Sequence, residues 1–138
     1  MSADVALKAY LTAFNNADPA GLAALYAPAT SYRNPMSPQP LTSPEDVRAF
    51  ETPMFAAFGD TSATLEEIVV DGDRAAARVT VRATHTGDLQ TPGGPVGATG
   101  KTIVLDCAEF VRTDDEGRIV EHHRYFDAMS FLAQLGLH

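Results

Sequence analysis

Four side chains able to donate, accept or carry a proton follow one another in His122-His123-Arg124-Tyr125. Side chains alternate between faces in an extended segment, so His122 and Arg124 share one face and His123 and Tyr125 the other. On the preceding strand, Glu109 occupies a position expected to point inward, as a cross-strand neighbour of Arg124. Two readings stay open for this pair. It forms a buried structural ion pair, or Glu109 is a general base while Arg124 stabilises a developing enolate. Arg124 itself is no base near neutrality, because a guanidinium loses its proton only above about pH 12.

Other polar residues are candidates for the same pocket. His85 falls on the apolar face of its strand, as a base, a donor or a satisfied core histidine. Tyr32 and Asn34 share a parity just before a proline-rich stretch and are placed to orient a carbonyl or a water; Asn34-Pro35 is equally a turn initiator. Parity selects His122 over His123 for the interior. Cys107 reads as a small wall residue, and Asp127, just before an apolar helical run, as an N-cap. Phe14, Phe55, Phe58, Phe110 and Phe126 read as core, with Phe14 and Phe126 as candidate substrate contacts. His85, His122, His123 and His138 lack metal-ligand spacing, so no metal is expected.

Elements must hold these residues in place. Val5, Ala6, Ala9, Tyr10, Ala13, Phe14 and Ala17 recur at helical intervals with Ser2 as a possible cap, predicting a helix over residues 3 to 17. Asp18-Pro19 opens a short helix ending near Tyr26 and Pro28. Ser43-Pro44 opens a third that runs to Gly59, with Pro53 expected to kink or divide it. Ser31 to Leu41 is proline-rich and reads as a loop. Leu65 to Val70, the turn Asp71-Gly72-Asp73 and the alternating run Ala75 to His85 predict a β-hairpin. A glycine- and proline-rich loop from Gly87 to Gly100 leads to a strand over about Lys101 to Arg112, and Asp114-Asp115-Glu116-Gly117 turns into the last. Three helices and a four-stranded antiparallel meander predict an α+β fold, a curved sheet wrapped around the N-terminal helices as a cone-shaped barrel with an internal apolar cavity.

The chain has 138 residues, 45% hydrophobic and 20% charged, which suits one domain over 1–138 with a real core. A formal charge of -8 argues against nucleic acid and anionic membranes as partners. The lone Cys107 excludes an internal disulfide and suggests a reducing, cytoplasmic setting. Neither a leader pattern nor a long apolar run is apparent.

Ala13-Phe14-Asn15, Tyr32-Arg33-Asn34-Pro35, Thr84-His85-Thr86-Gly87, and the closing segment from Glu121-His122 to Gln134-Leu135-Gly136 resemble the SnoaL-like polyketide cyclases, of the nuclear-transport-factor-like cone fold. The resemblance covers nearly the whole chain. It implies a cofactor-free enzyme that closes a ring by intramolecular aldol chemistry on a hydrophobic, oxygenated small molecule, and a homodimer. In that family an aspartate on the last strand carries the proton, and its position falls on Arg124; the assisting positions fall on Asn34, Cys107 and Glu109. The related limonene epoxide hydrolases hold a water with a tyrosine and an asparagine, which match Tyr32 and Asn34. Expected from the combined reading are Glu109, Arg124, Asn34 and His85 as catalytic residues, with Tyr32, His122, Cys107, Phe14 and Phe126 binding substrate. Isomerisation, dehydration, epoxide opening and a non-catalytic binding module stay open beside cyclisation.

Overall fold

A computed structural model describes residues 2–137; His138 lies outside the described residues. The elements follow as α1 (Ala3–Asn15), α2 (Pro19–Ala23), β1 (Tyr26–Arg33), α3 (Pro44–Ala57), β2 (Phe58–Asp71), β3 (Arg74–His85), a short β4 (Leu89–Thr91) and β5 (Gly94–Val96), β6 (Thr102–Thr113), β7 (Ile119–Tyr125) and α4 (Ala128–Gln134). The cap residues act largely as their types dictate. Asp18 accepts from the Gly21 N–H, Ser43 from Asp46 and Asp127 from Ser130. Ser2 stands at the N-cap of α1 without making a capping bond.

The main sheet has the order β1-β7-β6-β3-β2. Its neighbours are antiparallel except β1 and β7, which run parallel. The expected four-stranded meander therefore lacks one strand. Tyr26–Arg33, read as a helix end and a loop, is an edge strand, and α2 stops at Ala23. An edge tolerates Pro28, because its missing N–H need not join a ladder, and the β1–β7 register breaks between Tyr26 and Ser31. The Gly87 to Gly100 segment is also more ordered than a loop, since β4 and β5 pair there as a small hairpin. Pro53 neither divides nor ends α3, and it sits on the exposed side of that helix.

Alternation does the rest. Along β3, Ala75, Ala77, Val79, Val81, Ala83 and His85 are buried, and along β6 so are Ile103, Leu105, Cys107, Glu109, Val111 and Thr113. β7 adds His122 and Arg124 to this inner face. Two irregularities in β2 bend it so that it curls around α1, whose Leu7, Tyr10 and Phe14 fill the concave side. Phe110 does not join this core. It lies half exposed on the outer face beside Tyr125, which carries the opposite parity to Arg124.

Candidate functional site

Glu109 and Arg124 are paired directly across β6 and β7. Arg124 Nε donates to Glu109 Oε2 at 2.8 Å and to Oε1 at 3.1 Å, with both side chains buried. His122, two residues before Arg124, joins from the same face, its Nε2 2.8 Å from Glu109 Oε1. On the other side of the ring, Nδ1 is 2.7 Å from the Tyr26 hydroxyl. Burial raises the Glu109 carboxyl, but Arg124 and the His122 hydrogen bond outweigh it and hold the group below the usual carboxylate range. Burial pushes the His122 imidazole down and keeps it neutral, against the pull of Glu109. With Glu109 ionised, the His122 proton belongs on Nε2, and Tyr26 donates to Nδ1. Burial disfavours the Arg124 cation, yet Glu109 more than compensates and its pKa rises well above the ordinary value.

Aromatic rings fix the guanidinium. Its carbon lies 5.4 Å from the Tyr10 ring centroid and 5.1 Å from that of Phe14. Only Nε serves Glu109. Among the described residues, the buried Arg124 Nη2 has no hydrogen-bond partner.

A second polar cluster meets this one at Tyr32, whose ring stacks on His122 at 4.4 Å. The Tyr32 hydroxyl donates to Glu51 Oε1 at 3.3 Å, takes a hydrogen bond from Asn34 Nδ2 at 3.0 Å, and lies 3.3 Å from the Tyr10 hydroxyl. Asn34 Oδ1 accepts from the Met36 N–H, so this side chain is both a turn former and a support for Tyr32. Glu51 comes from α3 and is buried. Burial pushes its carboxyl up to about 7, with Arg124 and the Tyr32 hydrogen bond opposing the rise.

Arg124 from the first cluster and Asn34 and Glu51 from the second border an apolar cavity of about 60 Å³. Phe14, Phe50, Phe55, Phe58, Phe126 and Phe131 supply much of its wall, with Met36, Met54 and aliphatic residues of β3 and β6, and its polar members are Asn34, Glu51, Thr61 and Arg124. The structure thus brings Arg124, Asn34, Phe14 and Phe126 to one cavity. Glu109, His122 and Tyr32 stand behind the wall, where they hold Arg124 and Glu51. His85 does not reach it: its Nδ1 accepts from the Thr99 N–H at 3.2 Å and lies 3.0 Å from Thr99 Oγ1, tying the segment after β5 to β3. Cys107 is buried on the inner face away from the cavity wall, and burial pushes its thiol up to about 11.

Glu51 escaped the sequence reading. Its signal was present, because Glu51 lies four residues after Val47 and three before Met54, on the apolar side of α3. No cluster of three or more His, Cys, Asp or Glu among the described residues is arranged to hold a metal ion.

The sequence matches the model of SnoaL-like polyketide cyclases over residues 4–135. The chain belongs to the SnoaL-like polyketide cyclase family. Its structure is similar to that of IdmH, a candidate polyketide cyclase from Streptomyces antibioticus, with 31% identity over 98% of this chain and 99% of that one and a TM-score of 0.74. A candidate polyketide cyclase from Pseudomonas putida KT2440 shares 27% identity over 97% of this chain and 98% of that one, at a TM-score of 0.77. A protein of ketosteroid isomerase-like fold from Catenulispora acidiphila DSM 44928, in complex with trimethylamine, is 20% identical over 96% of this chain and 93% of that one; its TM-score of 0.79 speaks to the fold. No curated protein sequence matches the chain. The SnoaL-like family and these neighbours support a cyclase-like role on the α+β scaffold, with a curved sheet and helices as expected. Among the described residues, no helix is long and apolar enough to cross a membrane.

Proposed function

We propose that this SnoaL-like protein catalyses a cofactor-free proton transfer that closes a ring in a small, hydrophobic, oxygenated substrate. The observation that carries this reading is a buried carboxyl near neutrality, Glu51, on the same apolar cavity as a buried guanidinium nitrogen without a protein partner. A base is most useful when its pKa lies near the working pH, and Glu51 meets that condition. Glu109 does not, because its ion pair with Arg124 and its hydrogen bond from His122 hold it ionised behind the wall. The proton-carrying role therefore moves from Glu109 to Glu51.

In this reading Glu51 removes a proton from carbon next to a carbonyl, and Arg124 Nη2 donates to the enolate oxygen that develops. The enolate carbon then attacks a second carbonyl of the same molecule, and protonated Glu51 returns its proton to the resulting alkoxide. Isomerisation or dehydration would use the same pair. Glu109 and His122 keep Arg124 charged and oriented, and Tyr32, braced by Asn34, positions Glu51. The epoxide-opening alternative needs Tyr32 and Asn34 to hold a water, yet the Tyr32 hydroxyl proton is committed to Glu51, and bonds to Tyr32 and Met36 leave Asn34 one amide hydrogen and one carbonyl lone pair. The exposed Phe110, Tyr125 and Val104 of the outer sheet face suit the homodimer expected of the family, and the single cysteine suits a cytoplasmic setting.

The test is hydrogen-deuterium exchange at the α-carbon of 2-tetralone, a hydrophobic ketone, followed by NMR in D2O. Wild type should exceed the buffer rate and Glu51→Gln should fall to it, with a melting temperature no lower than wild type. Exchange retained in Glu51→Gln and lost in a folded Glu109→Gln would return the base to Glu109. Binding of the ketone without any exchange in wild type would favour a non-catalytic binding module.

A further inference from the structure

Outside the cavity, Arg33, Asn34, the Pro35 to Pro40 turn, Arg124 and Tyr125 border a groove of about 360 Å³. The chain carries 18 acidic residues against 10 Lys and Arg, yet this groove has two arginines and no carboxylate on its wall. Arg33 is exposed and, among the described residues, forms no ion pair. Arg124 borders the groove with its charge matched by Glu109. Asn34 and Arg124 border both spaces, so they form the wall that groove and cavity share.

We propose that this groove is an anion subsite that takes a carboxylate of the substrate between Arg33 and Arg124, while the apolar body of the same molecule fills the cavity beside Glu51. The inference deepens the cyclase reading and rests on its placement of substrate in that cavity. Charge arithmetic selects the anion. Because Glu109 already balances Arg124, Arg33 is the one uncompensated cation of the groove, which matches a carboxylate better than a dianionic phosphate. The planar Arg33 fork also matches two carboxylate oxygens in geometry. A rigid apolar body with a carboxylate at one end would enter the site in a single orientation, with its carbonyl carbons toward Glu51.

Phenylacetate and its neutral isostere phenylacetamide make the test, titrated calorimetrically at low salt. Wild type should bind phenylacetate about tenfold more tightly, and a preference resting on an exposed cation should shrink as salt is added. Arg33→Ala should lose most of the preference without changing amide affinity or melting temperature, and Arg33→Lys should keep part of it. A preference undiminished in Arg33→Ala would overturn the subsite. Equal affinities in wild type would also overturn it but leave the Glu51 reading intact, since that reading requires only the apolar body; binding of neither compound would count against both. Displacement of phenylacetate by inorganic phosphate at comparable concentration would overturn the choice of carboxylate.

Discussion

At the scale of single residues, two carboxylates only a cavity wall apart are driven in opposite directions by their surroundings. At Glu109 burial is outweighed by the touching Arg124 cation and the imidazole N–H, and the group stays ionised; at Glu51 burial outweighs Arg124 and the Tyr32 phenol, and the group titrates near 7. Tyr32 sets part of that value, because a hydrogen bond donated to the carboxylate favours the charged form. Tyr32→Phe should therefore push the Glu51 pKa higher. If ionised Glu51 is the base, the rate of ketone exchange rises with pH around 7, and in Tyr32→Phe this limb should move to higher pH, lowering the rate at pH 7 by about 3- to 10-fold. A limb that keeps its midpoint would remove Tyr32 as the positioning residue. The sequence showed the Glu109–Arg124–His122 side of this site, because strand parity and hairpin register are local and periodic. It hid Glu51, because a glutamate in a helix with other charged residues usually faces water, and only the packing of α3 onto the sheet turns it inward.

At the scale of elements, the closing Gln134-Leu135-Gly136 has a structural task. β7 accompanies β6 only from Ala108 to Thr113, so the first half of β6 has no strand on that side. Gln134 fills in for one at Val104: its Oε1 accepts from the Val104 N–H at 2.7 Å, and its Nε2 donates to the Val104 carbonyl at 3.0 Å. Leu135 is buried, and Gly136 turns the chain at φ +80°, where a side chain would also meet the Lys101 ammonium. Docked this way, α4 lays Phe131 against Phe58 and Phe126 and closes one end of the cavity. Gln134→Ala should cost about 1 kcal/mol, since the exposed Val104 backbone regains water, and should raise hydrogen exchange at the Val104 amide. Unchanged stability and amide protection would show that α4 docks without it. The hairpin of β2 and β3 and the turn before β7 were legible, because alternation and Asp/Gly turns are short-range signals. β1 was not: its place depends on a parallel partner some ninety positions later, with register pairs such as Tyr32 and His122 that no local pattern displays.

At the scale of the whole molecule, the two carboxylates and His122 give stability a definite dependence on pH. Glu51 titrates at about 7 in the fold against an ordinary value of 4.5, so between these limits the folded chain holds a proton that the unfolded chain has released. Stability from this group is complete below about pH 4.5 and is lost as pH rises through 7, a difference of about 3 kcal/mol. His122 has the opposite sign. Its folded pKa is depressed, so the unfolded chain takes up a proton first and stability falls as pH drops below 6.5. Glu109, also depressed, contributes stability above about pH 4.5 that is lost as pH falls through its folded value. As pH falls below 6.5 the His122 slope therefore opposes that of Glu51, below about pH 4.5 Glu109 makes stability fall as pH drops, and above 6.5 Glu51 acts alone. Glu51→Gln removes one slope and leaves the others. Its melting temperature relative to wild type should climb steadily between about pH 4.5 and 7.5, by on the order of 10 °C in all, and level off above. A difference that stays flat across this range, measured by differential scanning calorimetry, would mean that Glu51 carries an ordinary pKa in the folded protein and would remove the base from the proposed reaction.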